Sequence, residues 1–190
     1  MKNIAVYCGS NKGTKPSYVE GAVLLGKVLV ENSIGLVFGG GKVGLMGTIA
    51  DSVVQSKGHT IGVIPHFLHE KEVAHPNLSE LYTVDTMHQR KDMMSSLCDG
   101  YIMMPGGAGT LEEFFEIFTW AQLGLHQKPI GILNIDGFYD PLIQMLEKMI
   151  QEGFIGEHYS ELAIVDANPS SLIDKMKNAQ PVSVKRYDER

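Results

Sequence analysis

The sequence predicts an α/β fold of the Rossmann-like, three-layer kind, with a central parallel sheet of about seven strands and helices on both faces. Three observations predict it. Short apolar runs alternate with helix-period segments from one end of the chain to the other. The runs are continuously apolar rather than alternating, as in strands buried on both faces. Turns rich in glycine, or closed by proline, punctuate the runs and the helices.

Each element has its own warrant. Residues 4–8, IAVYC, read as the first strand, and 17–32 as an amphipathic helix with Pro16 near its start, where a helix tolerates proline. IGLVF (34–38) is a second strand, and 45–58 a helix stopped by Gly58 at the C′ position. TIGVI (60–64) is a third strand cut off by Pro65, and 66–80 is a loop with room for a short helical piece. LYTV (81–84) is a fourth strand, 87–98 a helix, GYIMM (100–104) a fifth strand and 111–124 a helix. PIGILN (129–134), a helix over 139–151, LAIV (162–165) and a last helix over 169–178 complete the alternation. We read residues 1–180 as a single domain followed by a polar tail, 181–190.

Composition narrows the function. With 190 residues, 44% of them hydrophobic, the chain can bury a substantial core. The formal net charge of −6 gives no basic field, so nucleic acid is not an expected partner. No window approaches the ~18 apolar residues of a membrane span, and MKNIAVYCGS reads as a strand, not a signal peptide. Cys8 and Cys98 form neither a disulfide framework nor a zinc pattern, so the expectation is a cytoplasmic protein with two small buried thiols.

In parallel sheets ligands bind beyond the C-terminal strand ends, here the loops 9–14, 39–44, 65–75 and 105–110. Two of them are glycine turns. Gly39-Gly40-Gly41-Lys42-Val43-Gly44 matches G-x-G-x-x-G, but a dinucleotide site also needs an acid at the end of the next strand, about 20 residues on. Ile64 and Pro65 stand there, which disfavours NAD. The second turn lies in MPGGAGTLEE (104–113) and lacks the Gly-Lys-Ser/Thr of a triphosphate loop. Two glycine turns on one edge, one of them heading a helix, predict backbone N–H groups that cradle a single phosphate.

Thr110 and Glu113 have the spacing of a capping box, which by itself explains both. Glu113 also shares a helical face with Ile117 and Trp120, within a turn of the expected phosphate. Apolar surroundings raise its pKa and the helix N-terminus lowers it. On the preceding helix, Arg90 falls on a stripe with Met87, Met94 and Leu97, so it must find an anion or snorkel out; Lys91 beside it adds charge.

MHQRK, PGGAGTLEE and FTWAQLGLHQKP, with VYCGS and VFGGGKVGLMG upstream, resemble the "lonely guy" family of cytokinin riboside 5′-monophosphate phosphoribohydrolases, long labelled lysine decarboxylases. The similarity runs from about residue 4 to 165 and includes the family's Arg-Lys followed by P-G-G-x-G-T-x-x-E. The resemblance implies that Arg90 and Glu113 are the catalytic pair and that Lys91 is a basic residue of the substrate site. It implies that Gly107, Ala108, Gly109, Thr110, Leu111, Glu112 and Glu113 wrap the nucleotide monophosphate, with further contacts at Glu72 and Thr119. Ala108 stands where plant members often have tyrosine.

The implied reaction is hydrolysis of the N-glycosidic bond of adenosine 5′-monophosphate, plain or N6-prenylated, with no cofactor or metal. Its ribose passes through an oxocarbenium-like state. A decarboxylase would need a Schiff-base lysine and a partner for a pyridine nitrogen. Lys42 and Lys91 are candidates for the first, and nothing singles out the second. A different class, a non-catalytic nucleotide-binding or cofactor-carrier module, shares such folds. His66, His69 and His75 match no standard metal spacing and read as a polar loop. Phe114, Phe115, Phe118 and Trp120 cover more than one face of their helix, which predicts a homodimer interface over 111–124; the resemblance implies a homodimer as well. The methionines at 93, 94, 103 and 104 read as core.

Overall fold

A computed structural model of the chain describes residues 1–69 and 74–182. Seven strands form one parallel sheet: β1 (Asn3–Tyr7), β2 (Gly35–Phe38), β3 (Thr60–Pro65), β4 (Glu80–Val84), β5 (Gly100–Met103), β6 (Ile130–Leu133) and β7 (Ala163–Asp166). Their order is β4-β3-β2-β1-β5-β6-β7. β1 pairs with β2 on one side (Ile4 opposite Leu36) and with β5 on the other (Val6 opposite Ile102). The chain thus winds outward in both directions from the centre, and the loops leaving β1 and β5 diverge. A crevice opens between such loops.

Helices α1 (Pro16–Glu31), α2 (Gly44–Gln55) and α7 (Pro169–Asn178) cover one face of the sheet. Helices α4 (Met87–Ser96), α5 (Ala108–Gln122) and α6 (Asp140–Gln151) cover the other, and α3 (His66–His69) is a single turn after β3. Apart from Asn3 and Thr60 at their starts, β1, β2, β3, β5 and β6 are apolar because both their faces are buried, and Met103 and Met104 at the end of β5 and Met94 on α4 are buried as well. The seventh strand, at the sheet edge, is half-buried along its length.

Local chemistry departs from the sequence reading at three helix ends. α2 is not closed by Gly58 at C′. Its C-cap is Ser56, Lys57 takes the left-handed conformation (φ 61°), and the Gly58 N–H donates to Val53 O at 2.8 Å. The pair makes a Schellman closure one residue earlier than expected. α5 begins at Ala108 with Gly107 as N-cap, so Thr110 and Glu113 do not form a capping box. Sequence spacing cannot see that the two glycines let the helix start early. The true capping box heads α4: the Thr86 hydroxyl accepts from the Gln89 N–H at 3.1 Å, and the Gln89 side chain accepts from the Thr86 N–H at 3.3 Å.

That cap fixes where α4, and with it Arg90, begins. Thr86→Ala should destabilise the protein by about 1 kcal/mol, read as a lower urea midpoint at unchanged slope, and Thr86→Ser should restore most of it.

Candidate active site

A cleft of about 340 Å³ opens at the point where the loops after β1 and β5 part. That volume is in the range of small-molecule sites. Arg90, Gly107, Ala108, Gly109, Thr110, Glu112 and Glu113, all singled out from sequence, line it together.

Arg90 is 6% exposed, so it does not snorkel, and it makes no ion pair among the described residues. Its Nε donates to Val63 O at 3.1 Å and its Nη2 to Gly39 O at 3.0 Å. Strand geometry explains the two acceptors. The register of β2 with β3 ends at Phe38 opposite Gly62, so the next carbonyls lack a ladder partner, and the guanidinium supplies one. The role of Gly39 follows: a Cβ there would collide with Arg90 Nη2. The turn at 39–41 therefore grips Arg90 through a carbonyl. The neighbouring carbonyl, of Gly40, accepts from the His75 N–H at 2.9 Å. Among the described residues, the guanidinium's remaining donors, chiefly Nη1, make only a weak contact to Met87 Sδ at 3.8 Å.

The second glycine turn behaves as a phosphate cradle should. Leu111 N–H makes the first backbone bond of α5, to Gly107 O at 3.2 Å, so the N–H groups of Ala108, Gly109 and Thr110 precede the ladder and have no partner among the described residues. A Cβ on Gly107 or Gly109 would touch nothing, which leaves the approach to those groups bare. Thr110 is buried at 4% exposure on the cleft wall, and its hydroxyl has no hydrogen-bond partner among the described residues. The turn is tied down from behind by Gly9 N–H to Pro105 O (3.0 Å) and Tyr139 OH to Met104 O (2.7 Å).

Glu113 is the acid of the cleft. Burial pushes its carboxyl up to about 7; Arg90 pulls it down, Glu112 pushes it up, and burial wins. Lys91, buried on α4, does not line the cleft. Its Nζ donates to Glu112 Oε1 at 2.6 Å and to Glu116 Oε1 at 2.9 Å, stapling α4 to α5. Burial works against the charge on Lys91, but the two carboxylates outweigh it and hold its pKa above the ordinary lysine value.

Other expected contacts sit elsewhere. Thr119 is exposed on α5 and donates to Glu116 O at 2.9 Å, away from the cleft lining. Leu111, on α5 itself, is partly buried and packs against the core rather than lining the cleft. Glu72 lies outside the described residues. His75 is not part of a polar loop: it is 3% exposed, its Nδ1 accepts from the Asn77 N–H, and its Nε2 meets Asp51 Oδ1 at 3.0 Å. Of the four aromatics on α5, Phe114 and Phe118 go into the core, whereas Phe115 and Trp120 are half-buried. Ser10 and Leu68 fall in two of the expected ligand loops, whereas sequence reasoning did not single out Tyr7, Cys8 or Met46 as cleft residues, and read Met87 only as part of the Arg90 stripe. The signal for Tyr7 and Cys8 was their place at the end of the central strand, beside the divergence point.

A family model described as possible lysine decarboxylase matches residues 46–176. The chain is 47% identical over 181 residues to a cytokinin riboside 5′-monophosphate phosphoribohydrolase of Oryza sativa subsp. japonica, spanning 95% of this chain and 75% of that protein. It is 44% identical to one of Arabidopsis thaliana, spanning 95% and 83%.

The chain belongs to the cytokinin riboside 5′-monophosphate phosphoribohydrolase family. Of the family signature, Arg90, Gly107, Gly109, Thr110 and Glu113 lie on the cleft, while Lys91, Pro105 and Gly106 do not. The decarboxylase description finds no support in the lysines: Lys91 is held by two glutamates, and Lys42 is exposed outside the cleft. In fold, this phosphoribohydrolase-family chain resembles the molybdenum cofactor carrier protein of Chlamydomonas reinhardtii (TM-score 0.71, 19% identity, 93% and 96% of the two chains). It also resembles a molybdenum cofactor binding protein of Rippkaea orientalis (TM-score 0.70, 21%, 93% and 96%). At these identities the likeness is one of architecture.

The raised Glu113 carboxyl has a measurable consequence. The folded protein keeps this proton to higher pH than the unfolded chain, whose value is near 4.5. Stability therefore falls as pH rises from about 4.5 to 7, and the full penalty persists above. Glu113→Gln should gain on the wild type across that window, by on the order of 1 kcal/mol or more at pH 8, in urea midpoints measured at pH 5 and pH 8. An equal difference at both pH values would contradict the shift.

Proposed function

We infer that the protein hydrolyses the N-glycosidic bond of adenosine 5′-monophosphate, plain or N6-prenylated, releasing the free base and ribose 5-phosphate. The observation that carries this reading is one cleft in which an unused helix N-terminus, a buried arginine and a carboxyl with a pKa near 7 face the same space. Family membership supports it, since the curated relatives are named for this activity.

The substrate phosphate docks on the N–H groups of Ala108, Gly109 and Thr110 and on the Thr110 hydroxyl. Its binding energy positions the ribose. As the C1′–N9 bond breaks, its electron pair leaves with the base and positive charge grows on the ribose. The Glu113 carboxylate stabilises that charge and takes a proton from the water that attacks C1′. Arginine is a poor acid, so Arg90 contributes a fixed positive charge and its free N–H donors, which orient the base and its developing negative charge. The base takes its proton from solvent, and Glu113 returns its own there. Lys91 acts behind the site by fixing α5, and with it Glu113, against α4.

The homodimer expected over α5 has support in apolar surface near its C-terminal end. Leu123 is 56% exposed and Leu125 69%, beside half-buried Phe115 and Trp120. We place the protein in the cytoplasm, where its two free, buried cysteines fit, as a single hydrolase domain over residues 1–180. Among the described residues no helix is long and apolar enough to cross a membrane.

Purified protein incubated with AMP and with N6-prenylated AMP should release free base from at least one of them. Turnover should rise with pH through about 7, following ionisation of Glu113. Glu113→Gln should lower turnover at least about 100-fold while ribose 5-phosphate still binds. A variant with wild-type turnover would remove Glu113 from the chemistry. Sedimentation velocity should show a species of twice the chain mass.

A further inference from the structure

Tyr7 ends the central strand, one residue before the chain turns away at the divergence point. Its side chain lies on the face covered by α4 and α5, where the ring stacks on Tyr101 with centroids 6.2 Å apart and planes inclined by 14°. The residue is 2% exposed and still lines the cleft. Its hydroxyl has no hydrogen-bond partner among the described residues. Tyr101, one strand over, differs on this point: its hydroxyl meets Ser95 Oγ at 2.6 Å. A buried hydroxyl left unpaired costs free energy, and such groups are rare in native interiors. The two orphan hydroxyls of this cleft wall, Thr110 and Tyr7, therefore point to a ligand that pairs with them.

Thr110 stands in the phosphate cradle. Tyr7 and Glu113 line the same cleft, Tyr7 from the end of β1 and Glu113 one turn along α5 from Thr110, and the Glu113 charge raises the Tyr7 pKa further after burial itself. A phenol and a carboxylate facing one small space suit an alcohol. A hydroxyl group can donate to the carboxylate and accept from the phenol at the same time.

We propose that Tyr7 is a further substrate-contacting residue, its hydroxyl donating to a ribose hydroxyl that itself donates to Glu113. The assignment rests on the nucleotide-hydrolase reading of the cleft. It makes the site select ribose over deoxyribose, since removing the sugar hydroxyl strands both protein groups. It also holds the ribose while its ring flattens toward the oxocarbenium state.

The test is a cycle between Tyr7→Phe and the substrate hydroxyls, using AMP, 2′-deoxy-AMP and 3′-deoxy-AMP. Phenylalanine keeps the stack on Tyr101, and the melting temperature of the variant should be unchanged or higher. Tyr7→Phe should lower kcat/KM for AMP about tenfold, the worth of one hydrogen bond. The loss should vanish for one of the two deoxy substrates. An equal loss on all three, or none on AMP, overturns the proposal. The same cycle run on equilibrium affinities of the three nucleotides needs no turnover. If the wild type releases no base from plain or prenylated AMP, the hydrolase reading fails, and the affinities still decide whether Tyr7 and a ribose hydroxyl are coupled.

Discussion

The site depends on one interaction: the Arg90 guanidinium held by the carbonyls of Val63 and Gly39. A buried arginine is expensive unless its donors are satisfied. Here the cost is offset by a shortage elsewhere, because two parallel strands that stop pairing leave carbonyls without partners. The sheet thereby fixes the cation at its own C-terminal edge through backbone carbonyls. The turn after β2 must be glycine for the guanidinium to enter, and α4 must start at the register its cap sets.

The other charges of the site arrange themselves around this fixed cation. Lys91, one residue on, faces away from the cleft and ties Glu112 and Glu116 to α4. Glu113 is left as the acid with no ion-pair partner among the described residues, dry enough to hold its proton to about 7 although Arg90 lines the same cleft. Had the two met as an ion pair, the carboxyl would be locked in its ionised form and would be a poor base. Separation within one cleft keeps it able to gain and lose a proton near neutral pH, which suits a proton-transfer step.

Much of this was legible in the sequence. The continuous apolar runs identified the strands, because burial on both faces removes the polar alternation, and the strand-glycine-helix order located the cradle at 107–110. Arg90 on an apolar stripe was expected to find an anion or snorkel; it is instead buried against backbone carbonyls. The partner itself was not legible: Val63 and Gly39 lie 27 and 51 residues from Arg90 in sequence, and backbone carbonyls leave no trace in residue identity. For the same reason the glycine loop at 39–44, whose pattern suggested an anion site, turned out to grip a cation. Thr110–Glu113 mimicked a capping box because spacing carries no information on where a glycine-led helix starts, while the real box, Thr86–Gln89, went unread. Tyr7 looked like one more strand residue, since only the sheet order shows that its strand is the central one.

The most direct measurement of the account is a crystal structure of the protein with adenosine 5′-monophosphate bound to the Glu113→Gln variant. The account predicts the phosphate within hydrogen-bond distance of the Ala108, Gly109 and Thr110 N–H groups. It predicts C1′ between residue 113 and Arg90, with the Arg90 bonds to Gly39 and Val63 unchanged. A nucleotide bound with its phosphate on the 39–44 turn, or with C1′ remote from residue 113, would contradict it.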